Sequence, residues 1–435
     1  MEFREALQFL DRFINREATA GRIHGLSLAA MSELVACMGE PHKDLNAIHV
    51  TGTNGKGSVV SMTESLLSSN GLRVGSYMSP HVDSIRERFT LAGSQITEEM
   101  FAEVIFDVSQ YVESNNLEPS YFELLTASAI LLFSNEAVDA AVVEVGILGR
   151  FDATNVLEGE IAVITNIGKD HTDGLEGWRR AIAAEKAGII VDGKPLLLGN
   201  PEEDVLDLFL AESPEPVFQY GKDFLLEESI PAVGGQVINV KGVFGEYEEV
   251  FLPLHGKRQA QNAALSLATA EVFLEGPIPE TVIEDAFGQL SIPGRLEILS
   301  RRPVVLVDGA HNKDSANHLA ETVNDVFPES RRILILGILK PHSPEEILRE
   351  LKFISPDLVV VFTAPSPRAV DAQELEEVAL RLGLDVERAE NPYEATLQAL
   401  RIGNEEDLIV AAGSFYNISE VRRAVEASNS TTLEI

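Results

Sequence analysis

The sequence has a single cysteine, Cys37, among its 435 residues, so no disulfide can form within the chain. That composition suits a reducing compartment, and we expect a cytoplasmic location. The chain also lacks any apolar run of the roughly 18–20 residues that a membrane span needs. Its first residues, MEFREALQFLDRF, lack the basic stretch and apolar core of a signal peptide.

Basic residues are scarce: 34 Lys and Arg stand against 69 Asp and Glu, which gives a formal net charge of -35. This balance argues against a sequence-independent nucleic-acid binder, which would present a basic face. A surface that only keeps the protein in solution explains the acidic surplus equally well. An anionic substrate must then be bound by a local group of Lys, Arg, helix N-termini or Mg²⁺.

The length of the chain predicts two or three domains. Uninterrupted apolar runs alternate with helical patterns, which predicts an α/β fold whose mostly parallel sheet is covered on both faces. Residues 217–253 carry short β-prone pieces among Gly and acidic residues and predict a small antiparallel excursion. The Pro-Gly signal in Ser291–Arg295 predicts a boundary, with one domain over 1–292 and a second, Rossmann-like α/β domain over 293–435.

The segment Thr51–Ser58 (TGTNGKGS) stands between a predicted strand, Ala47–Val50, and a predicted helix. Glycines in such a loop let several backbone N–H groups point at phosphate oxygens, and the helix adds its positive N-terminal end. Lys56 can reach the β- and γ-phosphates, and the Ser58 hydroxyl is placed for Mg²⁺. The loop is shorter between its glycines than the strict P-loop pattern, and Gly57 separates the lysine from the serine. The context predicts an ATP-phosphate loop, with contacts from Thr53, Asn54, Gly55, Lys56, Gly57 and Ser58.

Three more stretches carry candidate chemistry. Glu144 ends a predicted buried strand, where a carboxylate needs a cation beside it unless it lies at the solvent edge. The carboxyl ends of parallel strands are where α/β sheets bind ligands. His171 follows another buried strand, where a single histidine is more often a structural hydrogen bonder. Lys186, on a predicted helix, is by itself typical of a solvated side chain.

Taken in order, these stretches resemble the motifs of folylpolyglutamate synthase/dihydrofolate synthase in the Mur ligase superfamily, from about residue 40 to 420. Two substitutions depart from the family pattern: Leu148 replaces the first glycine of EVGxGGRxDATN, and Arg258 replaces the histidine of GxHQxxN. A third departure is the sequence PHS after Gly337–Lys340, where the family tends to have DKD. The matching segments are TGTNGKGS (51–58), SPH (79–81), AVVEVGILGRFDATN (141–155), TNIGKDHTDGLEG (165–177), EKAG (185–188), GKRQAQNAA (256–264), PGR (293–295), DGAHN (308–312) and GSFY (413–416).

The resemblance implies an ATP-dependent ligase that adds L-glutamate to 7,8-dihydropteroate or reduced folates through an acyl phosphate. It implies Mg²⁺, in two sites, with Ser58, Ser79, Glu144 and His171 as ligands. It also implies that Lys186 is carbamylated by CO₂. The catalytic residues implied are Lys56, Lys186 and His311. Further nucleotide contacts would come from Asn262, Arg295 and Asp308. Substrate contacts would come from Ser79, His81, Phe122, Asp152, Ala153, His311 and Ser414.

Three other functions compete with this interpretation. One is a Mur-type amino-acid ligase that acts on a non-folate carboxylate. A peptidoglycan-precursor ligase would carry a further domain before the ATP domain, and the 50 residues before Thr51 leave no room for it. A non-catalytic nucleotide-binding module would not need Glu144, His171 and Lys186 together. We expect small-molecule substrates, no nucleic-acid or membrane partner, and a monomer; the balance between the two acceptors stays open.

Overall fold

The computed structural model describes residues 1–15, 27–169, 177–328 and 331–432. Within these ranges, no helix combines the length and the apolar character of a membrane span. The α-helices, numbered in chain order, are α1 Phe3–Leu10, α2 Ala29–Cys37, α3 Lys56–Ser69, α4 Glu98–Asn115, α5 Tyr121–Asn135, α6 Trp178–Ala187, α7 Leu206–Leu210, α8 Lys257–Leu274, α9 Glu280–Gly288, α10 Lys313–Val326, α11 Pro344–Leu351, α12 Ala372–Arg381, α13 Pro392–Ile402 and α14 Ile418–Thr432. The strands are β1 Ala47–Thr51, β2 Val74–Tyr77, β3 Phe89–Leu91, β4 Ser94–Gln95, β5 Ala140–Glu144, β6 Ile161–Ile164, β7 Leu196–Leu198, β8 Val217–Gln219, β9 Leu225–Ala232, β10 Gly235–Lys241, β11 Glu246–Leu252, β12 Glu297–Arg301, β13 Val304–Val307, β14 Arg332–Leu336, β15 Leu358–Val361, β16 Val386–Arg388 and β17 Leu408–Ala412.

The first sheet has eight strands in the order β4-β3-β2-β5-β1-β6-β7-β8. The strands β2, β5, β1, β6, β7 and β8 run parallel to one another, and β3 and β4 form an antiparallel edge beside β2. Every residue of β1 and β5 is buried, because helices cover both faces of the sheet. In β5, Ala141 and Val143 pack towards α1, α4 and α5, and Ala140 and Val142 pack towards α3, α8 and α9. The expected parallel α/β sheet is confirmed.

The predicted antiparallel excursion is a three-stranded sheet in the order β11-β10-β9. The prediction placed its start too early: Val217–Gln219 pairs in parallel with β7 as the last strand of the first sheet. A strand of three residues carries too little periodicity to show which sheet it joins. The small sheet packs on α8 through Glu271, which is fully buried on that helix. The Glu271 carboxylate accepts hydrogen bonds from the Tyr247 hydroxyl (2.6 Å) and the backbone N–H groups of Val243 (2.6 Å) and Phe244 (3.2 Å).

The third sheet has six strands in the order β12-β13-β17-β14-β15-β16. All but β12 run parallel, so the second Rossmann-like domain is also confirmed. One face packs on α10, α11 and α12, and the other packs on α13 and α14. The carboxyl ends of β13, β17, β14 and β15 therefore lie side by side along one edge of this sheet.

The proposed domain boundary at 292/293 falls in the link between α9 and β12. Arg422 of α14 makes contacts on both sides of this link. Its Nη2 donates to both carboxylate oxygens of Glu297 at 2.9 Å, and its Nη1 pairs with the Asp83 carboxylate of the first domain. The Asp83 contact thus links α14 of the second domain to the first domain.

The Glu271 contact yields a stability prediction. Glu271→Ala leaves three buried or half-buried donors without their acceptor, so we expect a loss of about 3 kcal/mol in the free energy of unfolding. The measurement is urea unfolding followed by circular dichroism. Glu248→Ala, at an exposed position of the same strand as Tyr247, is the control and should change stability by less than about 0.5 kcal/mol. Equal stability of the two variants would show that Glu271 does not hold the small sheet.

Candidate active site

The phosphate loop joins β1 to α3 and is shaped by two glycines. Gly52 has φ +150°, and a Cβ atom there would lie 1.8 Å from the Thr165 Oγ1 atom. Gly55 has φ +85° and caps α3, and a Cβ there would lie 2.8 Å from the Asn262 Oδ1 atom. Only glycine fits at these two positions, because a side chain would strain the backbone and meet its neighbours. The loop therefore leaves the N-terminus of α3 open to an anion.

The segment that follows β6 anchors this loop. The Asn54 carbonyl accepts from Thr165 Oγ1 (2.6 Å) and Asn166 Nδ2 (2.7 Å), and Asn54 N–H donates to Asn166 Oδ1 (3.2 Å). Thr53 Oγ1 exchanges hydrogen bonds with the backbone N–H (2.9 Å) and carbonyl (3.1 Å) of Gly168. The sequence patterns did not single out Thr165 and Asn166, although polar residues directly after a buried strand were a usable signal.

Lys56 and Ser58 stand in the first turn of α3, and the Glu144 carboxylate lies beside Lys56. Ser58 is fully buried, and its hydroxyl has no hydrogen-bond partner among the described residues. Glu144 is 4% exposed, and its carboxylate accepts from the Ser79 N–H at 3.1 Å and lies 3.8 Å from Lys56 Nζ. Burial raises the pKa of Glu144, and the charge of Lys56 opposes that rise. A buried carboxylate and an unpartnered hydroxyl are oxygen ligands of the kind Mg²⁺ takes, so these residues fit the expected ion.

No three His, Cys, Asp or Glu side chains converge on one point within the described ranges. His171, which was also predicted as a metal ligand, lies outside the described ranges. Ser79, the other predicted ligand, lines the same cleft as Glu144. Ser79 and Glu144 thus lie together, Ser58 lines the neighbouring pocket, and the assignment of these residues and His171 as metal ligands stays a prediction.

Lys186 is buried on α6 and reaches the phosphate loop. Its Nζ donates to the Gly52 carbonyl at 2.8 Å and lies 3.5 Å from Thr51 Oγ1. Thr51 in turn donates to the Leu148 carbonyl at 2.7 Å. Leu148 has φ +61°, so it keeps the left-handed conformation that a glycine would favour at this position. Because Lys186 is buried and bonded to the loop, it is not the solvent-exposed lysine that the helix pattern alone suggests.

A pocket of about 510 Å³ opens on the other side of the loop and is lined by residues from both domains. Asn262 of α8 contributes its amide, which donates to Gln259 Oε1 at 3.2 Å. Asp308 accepts from the backbone N–H groups of Leu296 (2.9 Å) and Ala310 (2.8 Å), which fixes the turn that carries Arg295. Burial lowers the pKa of Arg295, while the charge of Asp308 raises it. The predicted nucleotide residues Asn54, Gly55, Ser58, Asn262, Arg295 and Asp308 all line this pocket.

A larger cleft of about 1020 Å³, partly open to solvent, separates the two domains. Lys56, Glu144 and Ser79 line it from the first domain, and His311 and Ser414 line it from the second. The His311 Nδ1 atom lies 2.7 Å from the Gly309 carbonyl. A carbonyl oxygen can only accept, so Nδ1 carries the ring proton. Two further lining residues, His342 and Arg368, were not predicted from the sequence.

The remaining predicted substrate residues lie beside the cleft rather than on its walls. Phe122 is partly buried against Gly146, where a Cβ would lie 2.5 Å from its ring. Asp152 is buried and accepts from Ile147 N–H (2.8 Å) and Thr154 Oγ1 (2.6 Å), which fixes the turn that contains Ala153. The His81 Nδ1 atom accepts from Arg88 Nε at 3.0 Å. Their predicted contacts with the acceptor stay predictions.

Models of two known domain families match this chain. Residues 50–270 match the Mur ligase middle domain, and residues 294–415 match the Mur ligase glutamate ligase domain. The dihydrofolate synthase/folylpolyglutamate synthase of Mycobacterium tuberculosis is 37% identical over 395 residues, which are 85% of this chain and 81% of that protein.

Solved structures give the same result. Folylpolyglutamate synthase of Mycobacterium tuberculosis, complexed with ADP and AMPPCP, superposes with a TM-score of 0.89 at 32% identity and 97% and 98% coverage of the two chains. Escherichia coli FolC in complex with DHPP and ADP gives 0.86 at 28% identity, with 99% of each chain covered. A bifunctional folylpolyglutamate synthase/dihydrofolate synthase from Yersinia pestis, complexed with AMPPNP and a Mn ion, gives 0.83 at 26% identity, with 98% of each chain covered.

The loop geometry yields a binding prediction. Gly52→Ala places a methyl group against Thr165 and strains a positive φ, so we expect the Kd for the ATP analogue AMPPNP to rise roughly 100-fold, from a cost of about 3 kcal/mol. The measurement is isothermal titration calorimetry. Gly71→Ala is the matched control, because Gly71 also has a positive φ, +93°, but a methyl group there would have no neighbour within 4 Å. An unchanged Kd in Gly52→Ala would contradict the role of this turn.

Proposed function

The chain belongs to the Mur ligase family, in its folylpolyglutamate synthase/dihydrofolate synthase group, and we propose how its residues add L-glutamate to dihydropteroate or reduced folates at the expense of ATP. One observation carries the assignment of roles. Lys56 and Glu144 of the first domain share a single cleft with Arg295 and His311 from beyond the domain link. A nucleotide held by the loop therefore presents its γ-phosphate to groups of both domains.

The first step joins the acceptor carboxylate to phosphate. A carboxylate oxygen attacks the γ-phosphorus, the bond from that phosphorus to the β,γ-bridging oxygen breaks, and ADP leaves with an acyl phosphate formed. Lys56, Arg295 and the α3 N-terminus stabilise the negative charge that develops on the phosphate oxygens. Ser58, Ser79 and Glu144 would hold Mg²⁺, which shields the phosphate charges from the incoming carboxylate when it is bound.

The second step forms the amide. The amine of L-glutamate attacks the acyl carbon, and the tetrahedral intermediate collapses with loss of inorganic phosphate. In this proposal His311 takes the proton that the amine must lose through Nε2, since its Nδ1–H is turned towards the Gly309 carbonyl. Ser414, 4% exposed on the same wall, is a hydroxyl contact for the incoming amino acid.

Closure of the domains would exclude water, which would hydrolyse the acyl phosphate, and contacts across the cleft already join the two domains. Asn54 of the phosphate loop and Asn312 of the second domain exchange amide hydrogen bonds of 2.9 and 3.4 Å. Lys169 Nζ lies 3.1 Å from the Glu346 carboxylate of α11. The phosphate loop is thus tied directly to the domain that supplies the glutamate site.

We infer that Lys186 is the carbamylated lysine of this group and that its carbamate, with His171, serves a second Mg²⁺. Support comes from its burial and from its position against the loop carbonyl of Gly52. Carbamylation converts an amine that is costly to bury as a cation into an anion that a nearby divalent ion can balance. The expected cytoplasmic location and monomeric state also stay predictions.

Acceptor use is tested by product analysis. We expect ADP release to require both L-glutamate and either dihydropteroate or tetrahydrofolate, with dihydrofolate or a γ-glutamyl folate as the second product. Lys56→Ala should lower kcat by about 10²–10³-fold with both acceptors, because a cation at the γ-phosphate is lost. Lys241→Ala, at an exposed position of β10, is the charge-matched control and should leave turnover unchanged. ADP release that needs neither co-substrate, or full activity in Lys56→Ala, would refute this function.

Carbamylation has its own test. In ¹³C-bicarbonate, the wild-type protein should show a carbamate carbonyl resonance in its ¹³C NMR spectrum. Lys186→Arg should lack that resonance and most of the turnover, because an arginine keeps the positive charge but forms no carbamate. Lys194→Arg, a half-exposed lysine paired with Glu160, is the control and should retain both. A fully active enzyme without the resonance would show that Lys186 acts as a free amine.

A further inference from the structure

Two polar side chains lie on one face of the buried strand β1. Ile48 and Val50 pack in the core shared with α3, so His49 and Thr51, which alternate with them, point to the opposite face of the sheet. His49 and Thr51 are both fully buried. Because a buried polar group is costly unless it is hydrogen-bonded, the partners of these two side chains indicate what they do.

Both side chains hold the segment that follows β5. Thr51 Oγ1 donates to the Leu148 carbonyl at 2.7 Å. The His49 Nε2 atom lies 2.9 Å from the Thr154 hydroxyl oxygen, and Thr154 Oγ1 donates to Asp152 Oδ1 at 2.6 Å. The single proton of the threonine hydroxyl is thus used, so Nε2 of His49 carries a proton and donates it to Thr154.

The ring of His49 is neutral, and its second nitrogen is unpaired. Burial lowers the pKa of His49 to about 3, so the ring carries a single N–H proton. That proton lies on Nε2, which leaves Nδ1 a buried acceptor without a hydrogen bond among the described residues. An apolar side chain would fill this place without that cost. The bond from Nε2 to Thr154 is therefore what histidine adds to a hydrocarbon at this position.

The chain of hydrogen bonds that begins at His49 ends on the wall of the cleft. The second carboxylate oxygen of Asp152, Oδ2, accepts from the backbone N–H of Ile147 at 2.8 Å. Gly146 and Ile147 line the cleft together with Glu144. A Cβ atom at Gly146 would lie 3.1 Å from Asp152 Oδ2, so the turn formed by Gly146 and Ile147 packs closely against the carboxylate that fixes it.

We propose that His49 is a positioning residue for the acceptor: through Thr154 and Asp152 it fixes the turn of Gly146 and Ile147, past which the acceptor carboxylate reaches the γ-phosphate. The proposal rests on the proposed function, in which acceptor and nucleotide meet in the cleft. His49 is fully buried and touches no substrate, so it acts only through this chain of hydrogen bonds. No member of the chain lines the nucleotide pocket or belongs to the second domain, so the binding of ATP and of L-glutamate should not depend on it.

The test measures the KM of each substrate in His49→Leu, which removes the donor and keeps an apolar side chain in the core. We expect the KM for dihydropteroate, or for tetrahydrofolate where that is the acceptor consumed, to rise roughly 2- to 10-fold, the range for loss of one hydrogen bond. The KM values for ATP and L-glutamate should stay unchanged. His49→Gln, whose side-chain amide can still donate to Thr154, should lie closer to the wild type.

Thr154→Val breaks the same chain at its next member, because valine has the shape of threonine without the hydroxyl. It should raise the acceptor KM by at least as much as His49→Leu does. The double variant should be no worse than Thr154→Val, since both changes act on one path. His42→Leu, at a half-buried histidine before β1, is the control and should leave every constant unchanged.

An acceptor KM that does not move in His49→Leu, or that moves together with the KM values for ATP and L-glutamate, overturns the proposal. KM does not depend on the fraction of active molecules, so partial misfolding of a variant does not imitate the effect. If His49→Leu does not fold, an unchanged acceptor KM in Thr154→Val overturns the proposal in its place. Wild-type protein that consumes neither acceptor would instead refute the proposed function.

Discussion

The burial of Glu144 is the constraint on which the site depends. A carboxylate that is 4% exposed at the end of a central strand is stable only with positive charge around it. Lys56 supplies one such charge from the phosphate loop, and the more distant Arg295 supplies another from the link to the second domain. The strand order makes this possible, because β5 lies directly beside β1 and its last residue faces the first turn of α3. The phosphate loop and the domain link are thus arranged around one negative group.

The parts of the fold that the sequence predicted are those encoded locally. The glycine loop, the buried strands and the helices of the second domain follow from periodicity and turn residues within short windows. The β3–β4 hairpin and β8 were missed or misplaced, because strands of two or three residues are defined by their partners. The identification of Lys56, Ser58 and Glu144 came from their positions next to predicted strands; in the structure Lys56 and Glu144 line one cleft, and Ser58 lines the neighbouring pocket.

Other site residues could not be predicted from local patterns. His342 and Arg368 stand 26 positions apart and meet in the cleft only because β14 and β15 are neighbours in the sheet. Resemblance to the family alone assigned no contact to either residue, since PHS departs from the usual pattern there. Asp152 shows the opposite case: a polar residue within a recognised motif accepts hydrogen bonds from its own loop. A motif identifies a segment, and only the three-dimensional contacts separate residues that hold the segment from residues that face the substrate.

The hydrogen bonds between Asn54 and Asn312 have a consequence for how the substrates influence one another. They join the phosphate loop to the residue that caps the N-terminus of α10 in the second domain. Any ligand that favours this arrangement of the domains raises the affinity of every other ligand that favours it, and the free energy of that coupling is the same in both directions. If the phosphate loop holds the nucleotide and the second domain holds the amino acid, as proposed, binding of either substrate therefore favours binding of the other.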